Sequence, residues 1–478
     1  MIVAQKIKTQ VVVLGAGPGG YSAAFRCADL GKKVILVENY SNLGGVCLNV
    51  GCIPSKTLLH FSKLLREMKL FANYGLVSID KIQINFDKLL SWKKKIIDKL
   101  AFGLNNMSSL RKIRIIHGYG KFIDSNVLRV ESNSDIFEIY FDYAIIATGS
   151  QSMQLSCISY NDSRIWNSTD ALKLQKVPDK LLIVGAGVIG LEMATIYSAL
   201  GSKIDLVEIS ENLIPILDDD IIKIFTKCIR GQFNLILGTK ITMVSCKKEG
   251  IFVSMKKNDN LLPDVKLYDG LLVAIGRTPN SRFLGVDLLG VKLDSHGFIV
   301  VNKQMCTSLS HIFAVGDVVG QPMLAHKSIY EGHVAAEVIA GLNSYFDPKV
   351  IPFVIYTDPE LAWVGLTEKI AQEKNISHES AVFPWLASGR AVSSNYQQGV
   401  TKLLFDKSTH KIIGGTVIGT NSSELLGEIG LAIEMGCDAE DISMTMHAHP
   451  TLYESIGLAA SIYEGSITDI LNIKARSN

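Results

Sequence analysis

At 478 residues the chain is longer than one ordinary hydrophobic core can serve, and two to four domains are expected. Hydrophobic residues at 47% and charged residues at 20% read as a globular enzyme, and a net charge of +2 supplies no field for nucleic acid or a membrane surface. No apolar run reaches the roughly 18 residues of a membrane span, and eight scattered cysteines do not make a secreted disulfide framework.

Met1 to Lys6 runs directly into a strand pattern without a signal-peptide apolar region. The expected compartment is therefore a reducing cytoplasm, where a disulfide would be catalytic rather than structural. The first strand, Val11-Val12-Val13-Leu14, feeds Gly15-Ala16-Gly17-Pro18-Gly19-Gly20 and then a helix ending at Leu30-Gly31. A second strand, Val34 to Val37, ends in Glu38. The glycines have separate duties. The first makes the strand-to-helix turn, the second lets backbone approach a pyrophosphate, and the third lets helix and strand pack closely. The pyrophosphate then meets free N–H groups at the helix N-terminus, and the acid is placed to accept from ribose hydroxyls.

Next comes Gly44-Gly45-Val46-Cys47-Leu48-Asn49-Val50-Gly51-Cys52-Ile53-Pro54-Ser55-Lys56. Residues five apart on a regular helix lie about 140° around the axis, with Cα atoms beyond about 8 Å. A disulfide needs roughly 4.4–6.8 Å. A bridge between Cys47 and Cys52 thus calls for a distorted turn, which Gly51 and Pro54 permit. Redox chemistry is the leading reading. The alternatives are a metal site, for which zinc would want further closely spaced ligands, and two unrelated thiols. Cys27, Cys157, Cys228, Cys246, Cys306 and Cys437 have no such context and are expected as free thiols. Further on, Lys93-Lys94-Lys95 falls in an amphipathic stretch and is expected on a solvated helix face.

Residues 180–208 repeat the opening plan. Leu181 to Val184 leads into Gly185-Ala186-Gly187-Val188-Ile189-Gly190, a helix ending at Leu200-Gly201, and a strand ending in Glu208. The acid lies 23 residues, and the helix-ending glycine 16, after the first glycine in both copies. A second echo pairs Asp142 to Gly149 with Asp269 to Gly276, each expected as a buried parallel strand ending in a turn beside a cofactor. Two dinucleotide sites in one chain suggest electrons passing between them. Ile209, Ser210 and Glu211 follow Glu208, with no arginine for a 2′-phosphate, so NAD is favoured over NADP.

With these residues in view, the chain resembles the flavin disulfide reductases over essentially its full length, and within them the dihydrolipoyl-oxidising members. The resemblance rests on the Gly44-to-Lys56 motif, the Ala147-Thr148-Gly149 and Ala274-Ile275-Gly276-Arg277 turns and Gly316-Asp317. It includes His447-Ala448-His449-Pro450-Thr451-Leu452-Tyr453-Glu454 near the C-terminus. The implied fold is α/β: two Rossmann-like dinucleotide-binding domains plus a C-terminal mixed α/β dimerisation domain. The boundaries expected are 1–150 for FAD, 151–279 for NAD, 280–350 completing the FAD domain, and 351–478 for the interface.

The resemblance implies an FAD site from Gly15, Gly17, Gly20, Glu38, Gly45 and Val46, together with Lys56, Gly120, Thr148, Gly149, Asp317 and Ala325. It implies an NAD site from Gly185, Gly187, Val188, Ile189, Gly190, Glu192 and Glu208, with Ile241, Ala274, Gly276 and Arg277. Lys56 is expected near the flavin, paired with Glu192. Cys47 and Cys52 would form the redox disulfide, and His449, held by Glu454, would be the base that serves the cysteines of a partner subunit. Taken alone, the sequence does not separate His449 from His447, and Tyr453 is expected to have no functional part. No metal, nucleic acid or membrane partner is expected. The partners implied are a second copy of the chain, lipoyl domains and the acyltransferase core of a 2-oxo-acid dehydrogenase complex. Within the family a glutathione-reductase-like enzyme would carry NADP-selecting arginines. A mercuric-reductase-like one would carry cysteines in the C-terminal segment, and Asn472 to Asn478 has none. A non-catalytic scaffold is the rival of another class.

Overall fold

The computed structural model describes residues 4–79, 82–132, 135–258, 260–262 and 264–472. Two sheets carry the two glycine-rich turns, the first mixed and the second parallel. In the first, Gln5–Leu14 lies between Val34–Glu38 and the long strand Ile136–Ile146, parallel to both. Arg114–His117 extends one edge. On the other side Ile136–Ile146 is shared: its front half pairs with Val127–Glu131 and its end, Ala144 to Ile146, with Ile312–Ala314. The second sheet is parallel throughout, in the order Asn234–Ile236, Lys203–Val207, Lys180–Val184, Gly270–Val273, Ile165–Trp166.

The buried ends of the central strands, Val11 to Leu14 and Leu181 to Val184, are uninterrupted apolar runs because both faces of the sheet are covered there. Side chains alternate faces along a strand. Accordingly Val11 and Val13 pack with Leu36, Ala23 and Ala336, while Val12 and Leu14 pack with Val37, Phe122 and Ile312. The first face is closed by the helices Pro18–Asp29 and Ala325–Ile339, which meet through small residues. A Cβ on Gly332 would stand 2.5 Å from the Gly19 carbonyl oxygen, so that contact requires glycine. Truncating a fully buried side chain such as Leu36 in this layer costs about 2–5 kcal/mol.

A two-stranded antiparallel link, Ser150–Ser152 with Arg277–Pro279, ties the chain segments that leave the two sheets. Thr239–Lys247 and Gly250–Lys257 form the main hairpin of a small antiparallel sheet beside the second unit. The last sheet is antiparallel, in the order Phe353–Ile355, Glu360–Gly365, Ile412–Gly419, Val400–Asp406, His378–Pro384, with helices Ser422–Met435 and Glu454–Glu464 packed on it. Trp385 is fully buried there against the backbones of Gly399 and Gly419, with its Nε1 donating to Thr401 Oγ1 at 3.0 Å.

The basic run lies on the helix Phe86–Leu110 but does not wholly face solvent. Lys94 and Lys95 are exposed, whereas Lys93 turns inward and donates to the Leu172 carbonyl. Burial lowers its pKa. The expectation of a solvated face fails at this residue, because a single carbonyl on a neighbouring segment offers the ammonium a partner. Among the described residues no helix is long and apolar enough to cross a membrane.

Candidate active site

The glycine turns repeat in atomic detail. Gly15 and Gly185 have φ of +100° and +102°. A Cβ on either would fall 2.3 Å from Ala147 O or 2.4 Å from Ala274 O, so each echoed strand end lies against the turn of its own unit. Gly20 and Gly190 return to 1.8 Å from the carbonyls of Gly15 and Gly185 by the same measure. Gly17 and Gly187 differ from these: nothing lies within 4 Å of a Cβ there, so both face open space at a helix N-terminus without a side-chain cap. That cradle, with its free N–H donors, suits the pyrophosphate of a dinucleotide. Glu38 accepts Ala16 N–H at 2.7 Å and Tyr40 N–H at 2.9 Å; Glu208 accepts Ala186 N–H at 2.8 Å and Ser210 N–H at 2.9 Å.

A cavity of about 2430 Å³ runs from the first turn past Gly45, Val46 and the two cysteines. Cys47 lies on the short helix Gly45–Val50, and Cys52 opens the long helix Cys52–Asn73. Gly51 breaks the path between them at φ −136°, ψ −110°. A Cβ there would lie 2.8 Å from Val46 O and 3.2 Å from Cys47 Cα. The distorted turn expected from the spacing is present, and Pro54 stands in the first turn of the second helix, where no intrahelical donor is lost. The two cysteines are unbridged here and act on each other through a hydrogen bond, as thiol donor and thiolate acceptor. That bond lowers Cys52 to about 7. Burial works against the shift, the Lys56 ammonium adds to it, and the Glu192 carboxylate opposes it. The same bond, with burial, drives Cys47 upward.

Lys56, one turn beyond Cys52, donates to both carboxylate oxygens of Glu192 at 3.0 Å. Burial disfavours its charge, but Glu192 outweighs it and the pKa is raised. Glu192 also accepts Tyr356 N–H at 3.2 Å, and the Tyr356 ring lies 4.4 Å from the Lys56 ammonium. Nothing in the sequence marked Tyr356, whose contact spans three separate segments.

Farther along the cavity, Thr148 Oγ1 donates to Asn280 O at 2.8 Å and Asn280 Nδ2 returns to Thr148 O at 3.0 Å, fixing the turn at Gly149. Gly120, Asp317 and Ala325 line the same space. Asp317 accepts from Ser150 Oγ at 2.5 Å. The peptide before it is anchored by buried Glu331, which accepts Gly316 N–H at 2.8 Å and pairs with Lys327 at 2.6 Å. Arg277, expected at the nicotinamide nucleotide, gives its guanidinium to Ser150 Oγ and O, both at 2.6 Å, 3.9 Å from Asp317. Of the other residues expected there, Val188, Ile189 and Glu192 face the cavity from the helix Val188–Ala199. Val188 is 39% exposed. Gly276 follows the second echoed strand at φ +132°. Ile241 is 5% exposed and packs in the core with Val184 and Leu271.

His449 and Glu454 lie elsewhere, His449 in the loop before the helix Glu454–Glu464 and Glu454 at that helix's start. His449 Nδ1 meets Glu454 Oε1 at 2.8 Å, and the imidazole is 78% exposed. His447 points the other way, only 7% exposed, with Nε2 on Glu428 Oε1 at 2.7 Å. The sequence left the two histidines unresolved; the structure leaves only His449 able to present a ring nitrogen outward. Tyr453 is not idle, since its hydroxyl accepts Ala448 N–H at 2.8 Å. Asp218, Asp220 and Glu368 gather closely enough to hold a cation, but the Lys402 ammonium already stands among them at 3.0, 2.8 and 2.5 Å.

Residues 9–332 match the family model described as pyridine nucleotide-disulphide oxidoreductase, and residues 351–460 match its dimerisation domain. The chain is 56% identical over 472 residues to dihydrolipoyl dehydrogenase of Vibrio cholerae serotype O1, covering 99% of both. It is 56% identical over 470 residues to that of Buchnera aphidicola subsp. Acyrthosiphon pisum, covering 98% of this chain and 99% of the relative. Among solved structures, the HOCl-induced flavoprotein disulfide reductase RclA from Escherichia coli superposes with a TM-score of 0.85 at 26% identity, over 95% of this chain and 99% of that one. LpdA from Mycobacterium tuberculosis gives 0.86 at 24% identity over the same shares and attests the fold. A paired thiol set beside two dinucleotide turns, and near-full-length likeness to named relatives, agree: the chain belongs to the pyridine nucleotide-disulphide oxidoreductases, and within them to the dihydrolipoyl dehydrogenases.

Proposed function

We propose that the chain oxidises dihydrolipoyl groups to the lipoyl disulfide through Cys47 and Cys52, reducing NAD. The observation that carries this is the cysteine pair itself, set across a helix break beside Lys56 and Glu192 in the cavity of the first dinucleotide turn. The glycine cradle, its capless helix N-terminus and the carboxylate of Glu38 fit FAD on the first unit; the second set fits NAD. When bound, FAD supplies the two-electron relay between the reduced cysteines and NAD.

His449 Nε2 takes a proton from one substrate thiol, and Glu454 on Nδ1 orients the ring and stabilises its charge. The thiolate attacks Cys47, forming a substrate–Cys47 bond and breaking Cys47–Cys52, which leaves Cys52 as thiolate. The adjacent Lys56 ammonium suits that charge, since it favours the Cys52 thiolate. The second substrate thiol then displaces Cys47, forming the lipoyl disulfide, and the electron pair remains on the enzyme dithiol. His449 is solvent-facing and away from its own cavity, which supports service to the cysteines of a second copy; the matched dimerisation domain at residues 351–460 supports a homodimer. In this reading residues 1–150 and 280–350 hold FAD, 151–279 hold NAD, and 351–478 make the interface. Lipoyl domains of a 2-oxo-acid dehydrogenase complex are the substrate carriers, and the compartment is a reducing cytoplasm.

The test is NAD reduction by dihydrolipoamide, with NADPH and oxidised glutathione as control. Rapid NADH formation and a silent control are expected; a flavin-loaded protein inert toward dihydrolipoamide would refute the substrate. Mixing Cys52→Ser with His449→Gln subunits tests the shared site. Statistical exchange should restore about one quarter of wild-type activity, because half the dimers regain one of two sites. No recovery from exchanged dimers would place base and cysteines in one chain.

A further inference from the structure

The loop bearing His449 is pinned by groups that take no part in the proton transfer. His449 itself points outward with Glu454 as its side-chain partner, so its aim depends on the backbone beneath it. That backbone is held at Ala448, the preceding residue. Ala448 N–H donates to the Tyr453 hydroxyl at 2.8 Å, and Ala448 O accepts from Thr451 Oγ1 at 2.6 Å. Thr451 N–H in turn donates to Glu454 Oε2 at 2.6 Å, the carboxylate whose other oxygen holds His449.

One residue farther back, His447 anchors the loop to a different helix. Its Nε2 meets Glu428 of Ser422–Met435 at 2.7 Å, and its ring lies 5.1 Å from the Tyr453 ring, centroid to centroid. The ring fits because position 457 is glycine. A Cβ there would be 2.8 Å from both Cε1 and Nδ1 of His447. The imidazole is thus wedged between Gly457, Tyr453 and Glu428, and the Thr445 backbone also holds it.

We propose that His447 with Glu428, and Tyr453 through Ala448, are positioning residues that set the direction of His449. The proposal rests on His449 being the base. An exposed base gains most of its advantage from a fixed approach, and misplacement of about 1 Å can cost 100-fold. The two anchors act on one loop, so their effects pass through a single group.

The experiment follows flavin absorbance anaerobically in FAD-loaded enzyme, once with dihydrolipoamide and once with NADH. Expected results are a fall of about 10–100-fold in reduction by dihydrolipoamide for His447→Ala, and about fivefold for Tyr453→Phe. Reduction by NADH should be unchanged in both. His447→Gln, which can still donate to Glu428, should recover most of the loss. Adding His447→Ala to His449→Gln should cost nothing further, since the anchor has nothing left to aim. Equal slowing of both half-reactions, or additive losses in the double variant, would overturn the proposal. So would a normal dihydrolipoamide reaction in Tyr453→Phe and His447→Ala while His449→Gln is slow. A fast reaction in His449→Gln itself would instead bring down the underlying assignment. Should His447→Ala fail to fold, Tyr453→Phe, which removes one hydroxyl, carries the same comparison.

Discussion

In both dinucleotide units the terminal carboxylate holds two backbone amides and the third glycine returns to the first carbonyl. What leans on those turns differs. At the first unit Gly45, at φ +56°, lies against Gly17, where a Cβ would stand 2.6 Å from Gly17 Cα; Gly19 is covered at 3.1–3.2 Å by Ser328 and Val315. At the second unit Val188 and Ile189 replace Pro18 and Gly19, and Val188 remains 39% exposed. In the proposed assignment a nucleotide on the first turn is enclosed by other segments, and it is expected to be retained. One on the second turn has an open face and is expected to exchange. On this expectation the same motif serves a resident cofactor or a passing one according to its cover.

The strongest way to break this comparison is to clog each turn. Gly20→Ala and Gly190→Ala each press a methyl to 1.8 Å from a carbonyl oxygen, a clash worth about 3 kcal/mol or more. Gly20→Ala should yield protein without flavin. Gly190→Ala should keep its yellow colour and full flavin content while NADH formation falls at least about 100-fold. Equal flavin loss in both would erase the distinction.

A smaller effect sharpens the link between the first unit and the cysteines. In the reduced enzyme, alkylation by iodoacetamide should titrate with the Cys52 thiolate near pH 7. The hydrogen bond from Cys47 stabilises the thiolate, so removing it in Cys47→Ala favours the thiol and moves the midpoint up by about one pH unit. Gly190→Ala should leave the midpoint where it is. A midpoint that ignores Cys47 would show that the thiolate is set by something else.

The smallest effect concerns the two acids. Glu208→Gln keeps one acceptor of two and costs about 1 kcal/mol, read as a roughly fivefold higher KM for NAD with weaker exclusion of NADP. Glu38→Gln should leave that KM unchanged and show its loss in flavin affinity. An NAD effect from Glu38→Gln would contradict the division.

The repeat was legible because it is local: glycine spacing, apolar runs and a terminal acid all fall within about 30 residues, and the turn at Gly51 followed from the cysteine spacing once the pair is read as a redox bridge. Contacts made across the fold were not. Lys93 reads as one of three basic residues, yet Leu172 O draws it inward. Arg277 sits at the end of the second unit's strand, but the antiparallel link with Ser150–Ser152 delivers its guanidinium to Ser150. Tyr453 and His447 look incidental until Gly457 and Glu428 are brought beside them. In each case the partner lies on another element, and no periodicity records it.

The most direct test of the division of labour is a pair of single-turnover reductions of Cys52→Ser, followed anaerobically at the flavin absorbance. The account predicts that NADH reduces the flavin at the wild-type rate while dihydrolipoamide leaves it oxidised. Flavin reduction by dihydrolipoamide in that variant would mean that electrons do not enter through the cysteine pair.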